Sequence, residues 1–276
     1  MLSYLVLREV TAVLRDITLG QYFPGNSVFH RTDPRIKIVL TMLYIVAVFM
    51  ADSLWSYLLM VSGAIVLIAF SRIPLRTVTS GFKTILFIII FTAVLNIFWT
   101  KGENLIFSFG IINIYAEGLI HAGKMVLRLA CLLMGTSVLV SYTTSPIALT
   151  DGLERLLSPL KVIKLPVHEF AMMMTIALRF IPTLIEETDK IMNAQKARGA
   201  DFTEGNLLQR AKALIPILIP LFVSAFMRAG ELATAMECRC YHGGEGRTRM
   251  TVLKTKPLDW ILLSVFIAYG AGIIVL

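Results

Sequence analysis

Hydrophobic positions in this chain fall in long, largely apolar runs rather than at the spacing of a half-buried strand or a surface helix. The runs cover residues 36–50, 54–70, 84–99, 119–140 and 258–276, most of them near the length that a tilted helix needs to cross the hydrocarbon core. Lipid offers no partner to an unpaired backbone amide or carbonyl, so such runs are predicted to form a helical bundle. The pattern predicts an all-α integral membrane protein with about five spans.

Between residues 143 and 256 the pattern changes. The apolar stretch 170–178 is cut short by Arg179, Pro182, Glu186 and Glu187, and the stretch 213–227 is bounded by Lys212 and Arg228. If both spanned, a loop carrying Lys190, Lys196, Arg198, Arg210 and Lys212 would be exported, against the positive-inside bias. Long amphipathic helices along the cytoplasmic side are expected instead, their apolar faces packed on each other and on the bundle. Pro146 and Pro159 bracket a short helix over 147–157, with Thr144 and Ser145 as candidate caps. Pro166 opens a second over 167–196, kinked at Pro182, and a third covers 207–238, bent at Pro216 and Pro220. The expected organisation is a cytoplasmic segment 1–35, a bundle of about four spans over 36–141, a cytoplasmic helical region 142–256 and a last membrane helix 257–276.

Composition and charge agree with that class. Hydrophobic residues make up 57% and charged residues 16%, with a mean hydropathy of +0.76, far from a soluble domain. Arg8, Arg15, Arg31, Arg35 and Lys37 precede or open the first run, Arg72, Arg76 and Lys83 follow the second, and Lys101 alone marks segment 100–118. This is a positive-inside pattern with the N-terminus cytoplasmic and the C-terminus outside. The apolar start 2–7 is broken by Arg8-Glu9 and Arg15-Asp16, so no cleavable signal is expected. The net charge of +8 lies mostly in membrane-flanking positions, which points to membrane lipid and not to nucleic acid.

Candidate chemistry is sparse. There is no phosphate-binding glycine loop before a lysine, no His-Glu-x-x-His and no aspartate-rich magnesium pair, so neither catalysis nor a cofactor is expected. Cys131 falls in the fourth run, and Cys238-Arg239-Cys240-Tyr241-His242 lacks an evident fourth ligand for a metal. His121, Lys124 and Arg128 share helical spacing in the fourth run, where Arg128 has two readings, a bundle contact or a place on a substrate pathway. Met172, Met173 and Met174 read either as core filler or as an adaptable contact surface.

The most informative pair is Ala194-Gln-Lys-Ala-Arg198-Gly199 and Ala235-Met-Glu-Cys-Arg239-Cys240. A single arginine before a helix-terminating glycine is ordinarily a solvated charge that offsets the helix dipole. Two in the same Ala-x-x-x-Arg frame, each closing a long cytoplasmic helix, suggest docking ends for a two-lobed partner, since guanidinium is a rigid fork of donors. Gly199 is a clear left-handed cap. Cys240 leaves two outcomes: the helix ends there with a left-handed cysteine, or it runs on to Gly243 or Gly244.

At these residues the chain resembles the transmembrane T component (EcfT) of energy-coupling factor (ECF) transporters, ATP-driven importers of vitamins and transition-metal ions. The resemblance runs from about Ile17 to the C-terminus. It rests on Gly20-Gln-Tyr22, Ser27, His30-Arg-Thr-Asp33-Pro-Arg35-Ile-Lys37, Thr143-Thr-Ser-Pro146, Ala177-Leu-Arg179-Phe-Ile-Pro182, the two arginine segments, Tyr241 and Gly244-Glu-Gly-Arg247-Thr248. It implies that Ala197, Arg198 and Gly199, and likewise Cys238, Arg239 and Cys240, end coupling helices that dock onto two ATP-binding cassette ATPase subunits. It also implies that an exchangeable membrane S component binds the substrate and packs on the coupling helices, with Met172 to Met174 as candidate contacts. Cys238 and Cys240 depart from the alanine and glycine usual in that family. The resemblance thus implies a non-catalytic coupling subunit in a bacterial plasma membrane; the alternative is a self-sufficient permease or channel lined by residues such as Arg128 and Asn96.

Overall fold

The computed structural model describes residues 22–100, 104–109, 112–200, 202, 207–243 and 253–276. Arg8, Arg15, Gly20, Gln21, Lys101 and the segment Gly244 to Thr248 lie outside the described residues. The elements are α1 (Val28–Arg31), α2 (Pro34–Phe49), α3 (Leu54–Ser71), α4 (Leu75–Trp99), strands β1 (Leu105–Phe109) and β2 (Ile112–Tyr115), α5 (Ala116–Thr136), α6 (Pro146–Leu156), α7 (Val167–Ala197), α8 (Leu207–Cys238) and α9 (Pro257–Val275). They fall into two compact units, one covering 21–155 with 252–276 and the other including 156–251.

The first unit is a helical bundle. α2 packs against α5 and α9, and α4 against α5. Leu40, Tyr44, Val48, Met60, Leu139 and Ile273 are buried at its centre. With lipid outside, close backbone approach and interhelical hydrogen bonds hold such helices together. A Cβ at Gly135 would overlap the Tyr44 ring, whose hydroxyl donates to the Cys131 carbonyl at 2.7 Å. Ser56 likewise donates across the bundle to the Ile273 carbonyl at 2.9 Å.

Two features differ from the sequence expectation. α4 begins at Leu75, well before the apolar run at 84, because Pro74 starts the helix while its first turns are polar. The segment 100–118 between the third and fourth runs contains a hairpin that the all-α reading did not include, with β1 antiparallel to β2 and Phe109 opposite Ile112. Its strands are five and four residues long, too short to stand out beside the long apolar runs. The other elements among the described residues are all helices, as an all-α membrane fold requires.

The end of the bundle where α2 and α9 begin is closed by polar contacts. Asp33 caps α2, its carboxylate accepting from the Arg35 amide at 2.9 Å and pairing with the Arg35 guanidinium at 2.7 Å. Its own amide donates to Asp259 Oδ1 at 3.2 Å, and Asp259 Oδ2 accepts from the Lys256 amide at 2.7 Å. Lys37 was expected as an interfacial charge, yet it is only 1% exposed. Its ammonium donates to the Thr143 carbonyl at 2.8 Å and to Thr144 Oγ1 at 2.9 Å, tying α2 to the turn before α6. Ser145 caps α6, accepting from the Ala148 amide at 3.3 Å.

In the second unit α7 and α8 pack on one another, and Arg228 donates to Glu187 across the pair at 2.8 Å. Both helices begin and end within a residue of the sequence expectation, and Pro182, Pro216 and Pro220 lie inside them. By length and composition alone, five described helical stretches could cross a membrane: Leu54–Ser71, Ala116–Ser141, Val167–Ala197, Lys212–Cys238 and Pro257–Val275. This set includes the two long helices of the second unit. α2 is shorter, at 16 residues, and the apolar part of α4 is Ile85–Trp99.

Candidate docking ends

α7 stops at a doubly bonded cap. The Gly199 amide donates to the Lys196 carbonyl at 3.0 Å and the Ala200 amide to the Gln195 carbonyl at 3.0 Å, the pair of bonds that defines a Schellman termination. Gly199 has φ of 87°, the left-handed conformation that this cap needs. A Cβ there would meet nothing within 4 Å, so the backbone angle alone is what favours glycine.

α8 stops in the same way. The Cys240 amide donates to the Glu237 carbonyl at 2.8 Å, and the Tyr241 amide to the Met236 carbonyl at 3.0 Å. Cys240 has φ of 54°, so the first of the two outcomes holds and the helix does not run on to Gly243. Arg198 and Arg239 therefore occupy equivalent positions immediately before the left-handed residue. Ala197, Arg198, Gly199, Cys238, Arg239 and Cys240 are all exposed. Each end presents an exposed arginine at the helix terminus, a rigid fork of donors open to a partner surface.

The family model for CbiQ, described as a cobalt transport protein, matches residues 25–250. The chain is 52% identical to the energy-coupling factor transporter transmembrane protein EcfT of Ruminiclostridium cellulolyticum, over 96% of this chain and 98% of that one. The EcfT proteins of Clostridium kluyveri and Bacillus subtilis are 54% and 48% identical, over 90% and 86% of this chain and 92% and 89% of theirs. The chain belongs to the EcfT family.

Within this EcfT chain the remaining candidates separate clearly. Met173 and Met174 are exposed on α7 and Met172 is half-buried, so the three do not act as core filler together. α8 carries a longer exposed apolar surface that includes Leu218, Phe222 and Phe226. Arg128 donates to the Ala51 carbonyl, lies 3.4 Å from the Asp52 carboxylate and sits 5.6 Å from the centre of the Tyr57 ring. Lys124 joins it, donating to the Asp52 carbonyl at 3.4 Å. This geometry is a bundle contact holding the turn between α2 and α3. Asn96 donates to the Thr92 carbonyl of its own helix at 2.9 Å.

The structure adds residues that sequence reasoning did not single out. Lys37 and Asp259 organise one end of the bundle, and the sequence marked Lys37 only as a flanking charge and as part of the Asp33-Pro-Arg35-Ile-Lys37 motif. Asp33 is unusually acidic for a buried carboxyl. Burial pushes its pKa up, but hydrogen bonds from the Arg35 side chain and amide outweigh this and hold it below the ordinary carboxylate range.

Proposed function

We propose that this EcfT protein is the non-catalytic coupling subunit of an ATP-driven importer. It docks two ATP-binding cassette ATPase subunits through Arg198 and Arg239 and holds an exchangeable, substrate-binding S component for vitamins or other micronutrients. The observation that carries this reading is the pair of matched helix ends, each presenting an exposed arginine at a Schellman cap. Two equivalent ends suit two related ATPase subunits. A change in spacing between those subunits as ATP binds and is hydrolysed would move the two helices differently, which is the differential contact that coupling requires.

The exposed apolar residues of α7 and α8, with Met173 and Met174 among them, supply a surface for the S component. The membrane-facing charge pattern supports a plasma-membrane location with a cytoplasmic N-terminus. On the same grounds α7 and α8 lie on the cytoplasmic side despite their length. The permease alternative gains no support, since Arg128 is occupied by the α2–α3 turn and Asn96 by its own helix.

The reading is tested by purifying the tagged chain from native membranes in mild detergent. Co-isolation of two ATP-binding subunits and a small membrane protein is expected, with no ATP hydrolysis by the chain alone. Substrate transport by the lone chain in vesicles would overturn it.

A further inference from the structure

A cavity of about 600 Å³ lies where the end of α3 and the start of α9 meet α1. Arg31, Arg72, Asn26 and Ser27 give it a polar side, and Ala69, Phe70 and Leu258 an apolar one. Among the described residues no carboxylate lines it, and neither Arg31 nor Arg72 has a hydrogen bond or ion pair. Arg72 ends α3 with φ of 54° and ψ of 25°, a left-handed backbone that disfavours any residue with a β-carbon. Glycine would satisfy that turn without strain, so a side-chain role accounts better for arginine there than the cap does.

We propose that this cavity binds the phosphate group of an anionic phospholipid. Two guanidiniums that are unpaired among the described residues, in a lining that holds no described carboxylate, select an anion, and phosphate matches their donor geometry. The apolar side distinguishes a lipid from a free anion. Phe70, which lines the cavity, is 60% exposed, so the cavity opens onto an apolar surface suited to acyl chains. It lies at the end of the bundle that the charge pattern assigns to the cytoplasm, where basic pockets between helices recruit anionic headgroups. Its volume falls in the range of sites that enclose a small ligand. A lipid there would bridge α1, α3 and α9.

The test is native mass spectrometry of the purified full chain with added phosphatidylglycerol or phosphatidylcholine, with inorganic phosphate and glycerol phosphate as competitors. Phosphatidylglycerol should be retained in preference to phosphatidylcholine, and neither soluble competitor should displace it. Each guanidinium removed should weaken that preference about fivefold, so Arg31→Gln with Arg72→Gln should nearly abolish it. The paired control Lys254→Gln with Lys256→Gln should retain it. If the double variant does not fold, Arg72→Gly serves, because it removes one guanidinium while relaxing the left-handed turn. Equal retention of both lipids by the unaltered chain, an undiminished preference in the variants, or displacement by free phosphate would overturn the proposal. The readout needs no ATPase partner, so it fails or succeeds separately from arginine docking.

Discussion

Gly199 and Cys240 hold the same place in two helix terminations: each follows an arginine, each is left-handed, with φ of 87° and 54°, and each donates its amide three residues back. The cysteine meets the geometry that glycine meets, but with a β-carbon in an unfavourable region. Cys240→Gly should therefore stabilise the protein by roughly 1 kcal/mol, and Gly199→Ala should destabilise it by about the same amount. Thermal melts of the purified chain decide both signs. A loss of stability in Cys240→Gly would mean that the two ends are not built alike.

The arginines preceding these residues carry the functional reading. Loss of one partner from a buried charge-assisted bond at an interface costs about 2–5 kcal/mol. Arg198→Glu with Arg239→Glu should abolish ATP-driven uptake while membrane insertion is unaffected, and each single variant should be milder because one docking end survives. Uptake assays on cells with matched expression check this. Full activity in the double variant would remove the arginines from the coupling machinery.

Much of this arrangement is legible in the residues, because helix ends announce themselves through local chemistry. Pro166 and Gly199 bracket α7, and Ser145 with Pro146 opens α6, so these boundaries are readable within a residue. Cys240 carries no comparable signal. Only the Ala-x-x-x-Arg frame shared with the first end hints at its conformation. Lys37 was unreadable for a different reason: its partners lie more than a hundred residues away, at Thr143 and Thr144, and a charge near a span looks interfacial until that contact is formed. Arg128 is similar, since its identity as a bundle contact depends on the distant turn at Ala51 and Asp52.

Length and hydropathy would admit α7 and α8 as spans, whereas the positive charges between them favour the cytoplasmic side. Single cysteines at Ala200 and His242, in a background without Cys131, Cys238 and Cys240, separate the two arrangements. Both should resist a membrane-impermeant maleimide in intact cells and react after permeabilisation. Labelling of position 200 from outside would make α7 a span and invert the topology from there onward.

Asp33 makes stability depend on pH in a definite direction. Its folded-state pKa is lowered by Arg35, so the folded state binds its proton less readily than the unfolded state does. That contribution is fully present above the ordinary carboxylate pKa and is lost as pH falls through the lower folded value. Melting temperature should drop on acidification through this range, and Asp33→Asn, which can still cap α2 with its amide oxygen, should show a shallower drop. Parallel slopes for the two proteins would assign the acid sensitivity to other groups.

Lys37 offers the sharpest test of the bundle's polar end, because its two bonds to Thr143 and Thr144 join segments that are remote in sequence. Lys37→Met preserves much of the side-chain volume but leaves the Thr143 carbonyl and the Thr144 hydroxyl without their cationic donor. It also removes the positive charge that attracts Asp33 and Asp259. Hydrogen bonds to charged groups contribute about 1.5–3 kcal/mol, so the single variant should lower stability by an amount of that order. Thr144→Val removes one of the two acceptors. Combined, the two changes should cost less than the sum of the single effects by at least about 0.5 kcal/mol, the lower end of coupling between contacting residues. Chemical denaturation of the four proteins in one detergent measures that difference. Strict additivity would show that the ammonium and the Thr144 hydroxyl do not share a bond, and the tie between α2 and the turn before α6 would have to rest on the Thr143 carbonyl alone.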